Sequence, residues 1–240
     1  MTMPIADLDL HSVRPQRFGH AHVRKIVDPL IEPLWNGERV LVAVGPIVGG
    51  LDLVDRGADV AFLDDEGEEL EGTTLDAIAA ELREDVRAES LLLDGYLTRQ
   101  PTTPTEPDPG LGLAIPTATQ FAGQMFFGRR AARATRLAAP GAQLPGDRSV
   151  PVAFVVVDLL AIDDLTLLRI PLLERKRVLE SALGESLLVR RGLYVRPPVD
   201  SWLVAWRSIG FHELAYKASN SRYTPGVRND AWARIAIPLD

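Results

Sequence analysis

The stretch E-P-L-W-N-G-E-R-V-L-V-A-V, Glu32 to Val44, carries the first clear strand signal in the chain. Pro33 and Gly37 punctuate its first half, and Arg39 to Val44 is an apolar, β-branched run of strand length. Leu51 to Val54 and Asp59 to Leu63 read as further short strands separated by turns bearing Gly and Asp, which predicts an antiparallel meander. Thr73 or Thr74 then caps a helix whose apolar positions Leu75, Ile78, Ala79, Leu82 and Val86 fall on one stripe. Leu91 to Leu97 returns as a strand.

The pattern continues irregularly. Pro101 to Pro116 holds five prolines and reads as an exposed loop. Thr117 to Arg136 reads as a helix with an apolar first half (Phe121, Met125, Phe126) and a basic second half (Arg129, Arg130, Arg133, Arg136). Those arginines suit phosphates, or simply complement a helix C-terminus, and the solvated face is the preferred reading. After the Pro140 to Gly146 loop, Val152 to Leu160 predicts a central strand, Leu172 to Leu183 a helix stopped at Gly184, and Leu187 to Val195 a strand. Ser201 is the expected cap of a helix over Trp202 to Ile209, with strands around Glu213 to Ala218 and Trp232 to Ile237. Clustered strands with irregularly placed helices predict an α+β fold with mostly antiparallel sheets, not a doubly wound parallel one. No internal repeat is visible.

Composition narrows the chemistry. The 240 residues are 46% hydrophobic and 25% charged, which suits a globular chain of one large or two small domains and excludes a disordered one. Cysteine is absent, so disulfides, thiolate zinc sites and cysteine nucleophiles are excluded, and the cytoplasm is the expected location. The net charge of −7 argues against general coating of nucleic acid. Met1 to Val13 carries Asp7 and Asp9 and lacks the basic start and apolar run of a secretory signal. The longest apolar stretch, Val150 to Ile162, is broken by Asp158 and is too short to cross a bilayer of about 30 Å, so no membrane partner is expected. Lysine occurs only at Lys25, Lys176 and Lys217.

General motifs carry little. Gly45 to Gly50 lacks the G-K-[ST] ending of a phosphate loop, and G-L-G-L at Gly110 lies in the proline-rich loop. His20-x-His22 has no third ligand at recognisable spacing, so no metal site is predicted. Four blocks taken together are more specific: Glu32 to Arg39; Leu93-Asp-Gly-Tyr96; Phe154 to Leu160 followed by Pro171-Leu-Leu-Glu-Arg-Lys176; and Phe211 to Ile237 (F-H-E-L-A-Y-K-A-S-N-S-R-Y-T-P-G-V-R-N-D-A-W-A-R-I-A-I). In order and spacing they resemble the adenylation, or nucleotidyltransferase, domain of ATP-dependent DNA ligases. The bacterial end-joining type is the most similar. The resemblance implies an ATP-grasp-like α+β fold of mostly antiparallel sheets flanked by helices, over residues 17–240. Residues 1–16 are then an N-terminal extension, and the oligonucleotide-binding fold that follows in such ligases is not expected here.

What the resemblance implies chemically is a lysine that attacks the α-phosphate of ATP, with Mg²⁺, and passes AMP to a 5′-phosphorylated nick. This chain departs from the pattern where that chemistry is done. Leu34 occupies the nucleophile position, so no catalytic residue is assigned. Asn36 stands for an acid, Tyr96 for a glutamate, Val157 for the aromatic that stacks on adenine, and His212 for a glutamate. Arg234 and Ala236 replace two lysines, and Asp64-Asp65-Glu66-Gly67 replaces a turn that carries an arginine. Glu32, Arg39, Asp94, His212, Lys217 and Arg234 are the expected lining of a remnant nucleotide pocket. For Arg39 and Arg234 the competing reading is ion pairing in a half-buried sheet, and for His212 a satisfied core residue. Lys176 is expected to be solvated on its helix, and Lys217 to lie across the pocket.

The leading expectation is a stand-alone, degenerate domain that does not self-adenylate and binds a nucleotide weakly or a protein partner. ATP or AMP with Mg²⁺ is a cofactor only under the first alternative, an active ATP-dependent DNA ligase or nucleotidyltransferase in DNA repair. A second alternative is a non-catalytic nucleic-acid-binding protein.

Overall fold

The computed structural model describes residues 10, 12–48, 51–53, 59–100 and 151–238. The predicted proline-rich loops and the arginine-bearing helix of 117–136 lie outside the described residues, as does most of the 1–16 extension. In chain order the elements are β1 (Arg17–Phe18), β2 (Pro29–Pro33), β3 (Gly37–Val44), β4 (Ile47–Val48), β5 (Leu51–Asp52), β6 (Val60–Leu63), β7 (Glu69–Leu70), α1 (Thr73–Asp85), β8 (Leu91–Thr98), β9 (Ala153–Ile162), β10 (Leu165–Thr166), α2 (Leu172–Ala182), β11 (Val189–Arg191), α3 (Asp200–Ser208), β12 (Glu213–Ala218), β13 (Arg228–Asn229) and β14 (Trp232–Ala236).

The larger sheet runs β10-β9-β8-β3-β6-β7, antiparallel throughout, with β11 parallel to the start of β9. A three-stranded antiparallel sheet, β14-β12-β2, stands apart from it, and the chain passes between the two through Leu34 to Asn36. Period-two alternation gives the larger sheet two apolar faces. Val40, Val42, Val44, Leu91, Leu93 and Val156 pack against Leu75, Ile78 and Leu82 of α1 and Leu179 of α2. The other face carries Leu41, Ala43, Leu92 and Leu160, which pack against Tyr223 and Trp232 beside the smaller sheet, with Leu10 and Val13 joining them. The α+β architecture expected from the sequence is the one observed.

Two glycines of the motif blocks are fixed by this packing. A Cβ on Gly37 would stand 2.2 Å from the Leu97 carbonyl oxygen, and one on Gly95 would stand 2.4 Å from the Val155 oxygen and 2.5 Å from the Phe154 ring. Their retention in the sequence is explained by close strand approach.

Several local expectations need correction. Helix α1 is entered through Gly72, whose φ of 152° is closed to most side chains, so Thr73 and Thr74 are its first residues and neither caps it. Helix α3 starts at Asp200 after Val199, placing Ser201 inside the first turn, where the Asp200 charge complements the dipole instead. Helix α2 ends at Ala182, and its first N–H groups, of Leu172 and Leu173, donate to the carbonyls of Ser221 and Ser219. The strand expected over 187–195 is limited to Val189–Arg191, with a separate bridge from Val195 to Ile31.

Candidate functional site

Glu32 ends up between two lysines. In the β2–β12 ladder Ala215 is opposite Glu32 and Leu30 opposite Lys217, so Glu32 and Lys217 form a diagonal pair on one face. Lys217 Nζ donates to Glu32 Oε2 at 2.7 Å. From α2, Lys176 Nζ stands 2.7 Å from Glu32 Oε1, an ion pair without the alignment of a hydrogen bond. All three side chains are 4% exposed or less. Burial by itself would raise the Glu32 carboxyl, but the two ammonium groups outweigh it and hold it below the ordinary range. Burial lowers Lys176; Glu32 opposes this, and the like charge of Lys217 adds to it. Lys217 also lies over the Trp232 ring, 4.4 Å from its centroid.

Two bidentate pairs continue this buried polar seam. Arg39 Nε and Nη2 bind Asp94 at 2.9 and 2.6 Å, and Arg175 Nε and Nη2 bind Asp158 at 2.8 and 2.7 Å. Asp94 and Asp158 are register partners on β8 and β9, so without these guanidinium groups two carboxylates would face each other in the core. Tyr223 donates its hydroxyl to Asp94 Oδ2 at 2.7 Å and accepts from the Gln16 N–H. Burial, reinforced by Asp94, pushes the Tyr223 phenol well above its usual value. Burial opposes the Arg39 charge, but Asp94 more than offsets this and fixes it.

The position that the resemblance assigns to the nucleophile is apolar. Leu34 packs on a cluster that includes Trp35, Val157, Phe211 and Trp206, and its N–H donates to the Glu213 carbonyl. Trp35 and Phe211 meet edge to face, with centroids 4.8 Å apart. Leu34 and Val157, which the resemblance places at the nucleophile and the adenine platform, therefore share one hydrophobic cluster. The turn expected at Asp64 to Gly67 is formed, with Asp64 Oδ1 accepting from the Glu66 and Glu68 N–H groups. Burial raises the Glu38 carboxyl, and the charges of Asp64 and Asp65 raise it further.

Of the six expected pocket residues, Glu32 and Lys217 meet directly, and Arg39 and Asp94 form their own pair. Arg234 is 60% exposed and makes a long ion pair with Glu213, at 4.0 Å. His212 is exposed, not a core residue; its backbone carbonyl accepts from Ile237. Lys176, expected in solvent, is buried because α2 turns that face toward β9 and β2. Sequence reasoning also passed over Arg175, Asp158 and Tyr223. The signal available was Asp158 itself: an acid inside F-V-V-V-D-L-L has to be matched by a buried cation.

The carboxylates do not fit Mg²⁺. Glu32, Asp94 and Asp158 are each committed to lysine or arginine, and the positions the resemblance would reserve for further acids hold Asn36, Tyr96 and His212. Among the described residues no group of three or more His, Asp or Glu is placed to hold a metal ion. His20 Nε2 instead lies 3.0 Å from Arg228 Nη1, and His22 Nδ1 accepts from the Arg24 N–H. No helix of the described residues is long and apolar enough to cross a membrane.

No protein-family model and no curated protein matches the chain. Solved structures do. The ligase domain of LigD from M. tuberculosis aligns with a TM-score of 0.56 at 18% identity, covering 95% of this chain and 60% of that one. A mycobacterial DNA ligase D complexed with ATP and MES aligns with a TM-score of 0.57 at 21% identity, covering 95% and 61%. A third, Pmar-Lig_Pre., gives 0.53 at 14% identity and covers 94% and 46%. The chain thus spans about three fifths of the length of the two mycobacterial ligase chains. Its fold is that of the adenylation domain of ATP-dependent DNA ligases.

Proposed function

We propose that this chain is a ligase-fold adenylation domain that does not self-adenylate and acts as a binding module with, at most, weak affinity for nucleotide. The observation that carries this reading is the state of the amines. Leu34 is an alkyl group in an apolar cluster, and the two buried lysines nearest Glu32 share its carboxylate. In-line attack on phosphorus needs an unprotonated amine about 3 to 3.5 Å from the α-phosphate. Lys217 is instead an aligned donor to Glu32. Among the described residues the three buried carboxylates are each paired with lysine or arginine, so they offer no metal cage, and the cations that hold them are engaged there and not with a triphosphate.

The alternative of an active nucleotidyltransferase in DNA repair has one observation in its favour: burial shifts Lys176 toward the neutral amine. Incubation of the full chain with α-labelled ATP and Mg²⁺, followed by denaturation, separates the two. The proposal expects no retained label. A label that survives denaturation and disappears in Lys176→Ala or Lys217→Ala would establish the alternative.

A further inference from the structure

We infer that the free edge of β14 is a self-association surface, on which a second copy of the chain adds its own β14 in antiparallel register about Ile235. The β12–β14 ladder decides which backbone groups are involved. The Ile237 N–H donates to the His212 carbonyl and the Ala218 N–H to that of Ala231, so the hydrogen-bonding groups of Ala231, Ala233, Ile235 and Ile237 face β12. Those of Trp232, Arg234 and Ala236 face away from it. The Trp232 carbonyl is taken by the Gly19 N–H, and Pro238, which has no N–H, gives its carbonyl to Arg207 Nη2. Between these two stops, the N–H and carbonyl of Arg234 and of Ala236 have no partner among the described residues. The opposite edge of the same sheet is closed, because Ile31 on β2 and Val195 exchange both of their backbone bonds. An open edge of this kind is a template for another strand.

The two stops select the register. A twofold axis through Ile235 sets Arg234 of each copy opposite Ala236 of the other, and these two pairs exchange four hydrogen bonds. An axis through Arg234 would put Ala236 opposite Trp232, where Gly19 already covers the edge, and an axis through Ala236 would put Arg234 opposite Pro238. The side chains agree with the first register. Ile235, 38% exposed, meets its own copy in a non-hydrogen-bonded pair, the closer of the two kinds. On the other face Arg234 lies in one row with Ala236 and then Glu213 of the second copy, across two strand spacings of about 4.8 Å each. Only a methyl stands between, so each exposed guanidinium faces a carboxylate across the axis, besides its long pair at 4.0 Å within the chain. An extended peptide of an unrelated protein would gain the backbone bonds but neither the Ile235 contact nor both charge rows, which makes a second copy the better occupant. The contact is one short strand pair, so the dimer is weak.

The chain has no cysteine, so a single introduced thiol reports the register. Ile235→Cys treated with oxidised glutathione should give a disulfide-linked dimer, because Cα atoms of a non-hydrogen-bonded pair stand about 4.5 Å apart, within disulfide range. Arg234→Cys sets its thiols on a diagonal of about 7 to 8 Å and should cross-link at least about 10-fold more slowly. Sedimentation equilibrium of the parent from about 10 to about 500 μM should show the average mass rising from that of one chain toward that of two. Ala236→Pro deletes an outward N–H and no bond to β12, removing two of the four bonds between copies. It should raise the dissociation constant at least about 10-fold and suppress cross-linking of Ile235→Cys, with melting close to that of the parent. The inference is overturned if the parent stays monomeric over the whole range, if Arg234→Cys cross-links as readily as Ile235→Cys, or if Ala236→Pro leaves the dimer intact. Retained AMP label bears only on the proposed function, so the two fail separately.

Discussion

Replacing Glu32 by Gln keeps the shape of the seam and removes the one charge that two buried ammonium groups share. In the parent, Lys176 and Lys217 each stand 2.7 Å from a Glu32 oxygen, and none of the three side chains is more than 4% exposed. Removing one partner of such a set leaves uncompensated buried charge, which costs about 3 to 5 kcal/mol near neutral pH. For a chain of this length that is a melting temperature lower by about 6 to 20 °C. The deficit should also depend on pH in a defined direction. Folded Lys176 already titrates below the free-lysine value of 10.5, with burial as the largest cause and Glu32 opposing it. Taking Glu32 away lowers it further. Between the folded pKa and 10.5 the unfolded chain binds more protons than the folded one, so stability rises with pH across that window, and the variant has the wider window. Urea denaturation of parent and variant near pH 7 and near pH 10 should therefore show the gap narrowing toward alkaline pH. A gap under about 1 kcal/mol at neutral pH, or one that does not change with pH, would refute the placement of both ammonium groups on one carboxylate.

Asp158→Asn strands the Arg175 guanidinium in the core and should cost about 3 to 5 kcal/mol, whereas Asp158→Leu combined with Arg175→Met should recover most of that in the same urea titration. Gly95→Ala places a methyl 2.4 Å from the Val155 carbonyl oxygen and should lower stability by about 1 to 3 kcal/mol, read as a lower denaturation midpoint at unchanged slope. On the acid side, Glu32 and Asp158 are both held below their ordinary values of 4.5 and 3.8, with burial opposing and their lysine and arginine partners prevailing. Their contribution is complete above those values and is lost as pH falls through the lower folded ones, so acid unfolding followed by circular dichroism should shift to higher pH in Glu32→Gln.

The architecture was legible because alternation and punctuation were strong. Val40, Val42 and Val44 alternate with Leu41 and Ala43 in the sequence itself, which marks out two faces, and the 75–82 stripe predicts which side of α1 is buried. The end-joining resemblance also located Leu34 and Val157, and the structure places both in one apolar cluster. What could not be read was the direction of side chains brought in by distant elements. Lys176 looks like a surface residue in L-L-E-R-K-R, since nothing local reveals that α2 lays it against Glu32, 144 positions earlier. His212 gave the opposite error: its neighbours Phe211 and Leu214 are core residues, but the residue between strand and helix points outward. The caps were misjudged at α1, which is entered through Gly72 with Thr73 and Thr74 already inside it, and at α3, which starts after Val199 so that Ser201 falls in its first turn.

The proposed loss of self-adenylation rests on an apolar Leu34 and on two buried amines that share the Glu32 carboxylate, and the intact mass of the protein after incubation with ATP, Mg²⁺ and pyrophosphatase tests it most directly. Pyrophosphatase removes the product that would reverse adenylation, so even a slow reaction accumulates. The predicted spectrum contains only the unmodified chain. A species heavier by one adenylyl group, mapped by fragmentation to Lys176 or Lys217, would contradict it.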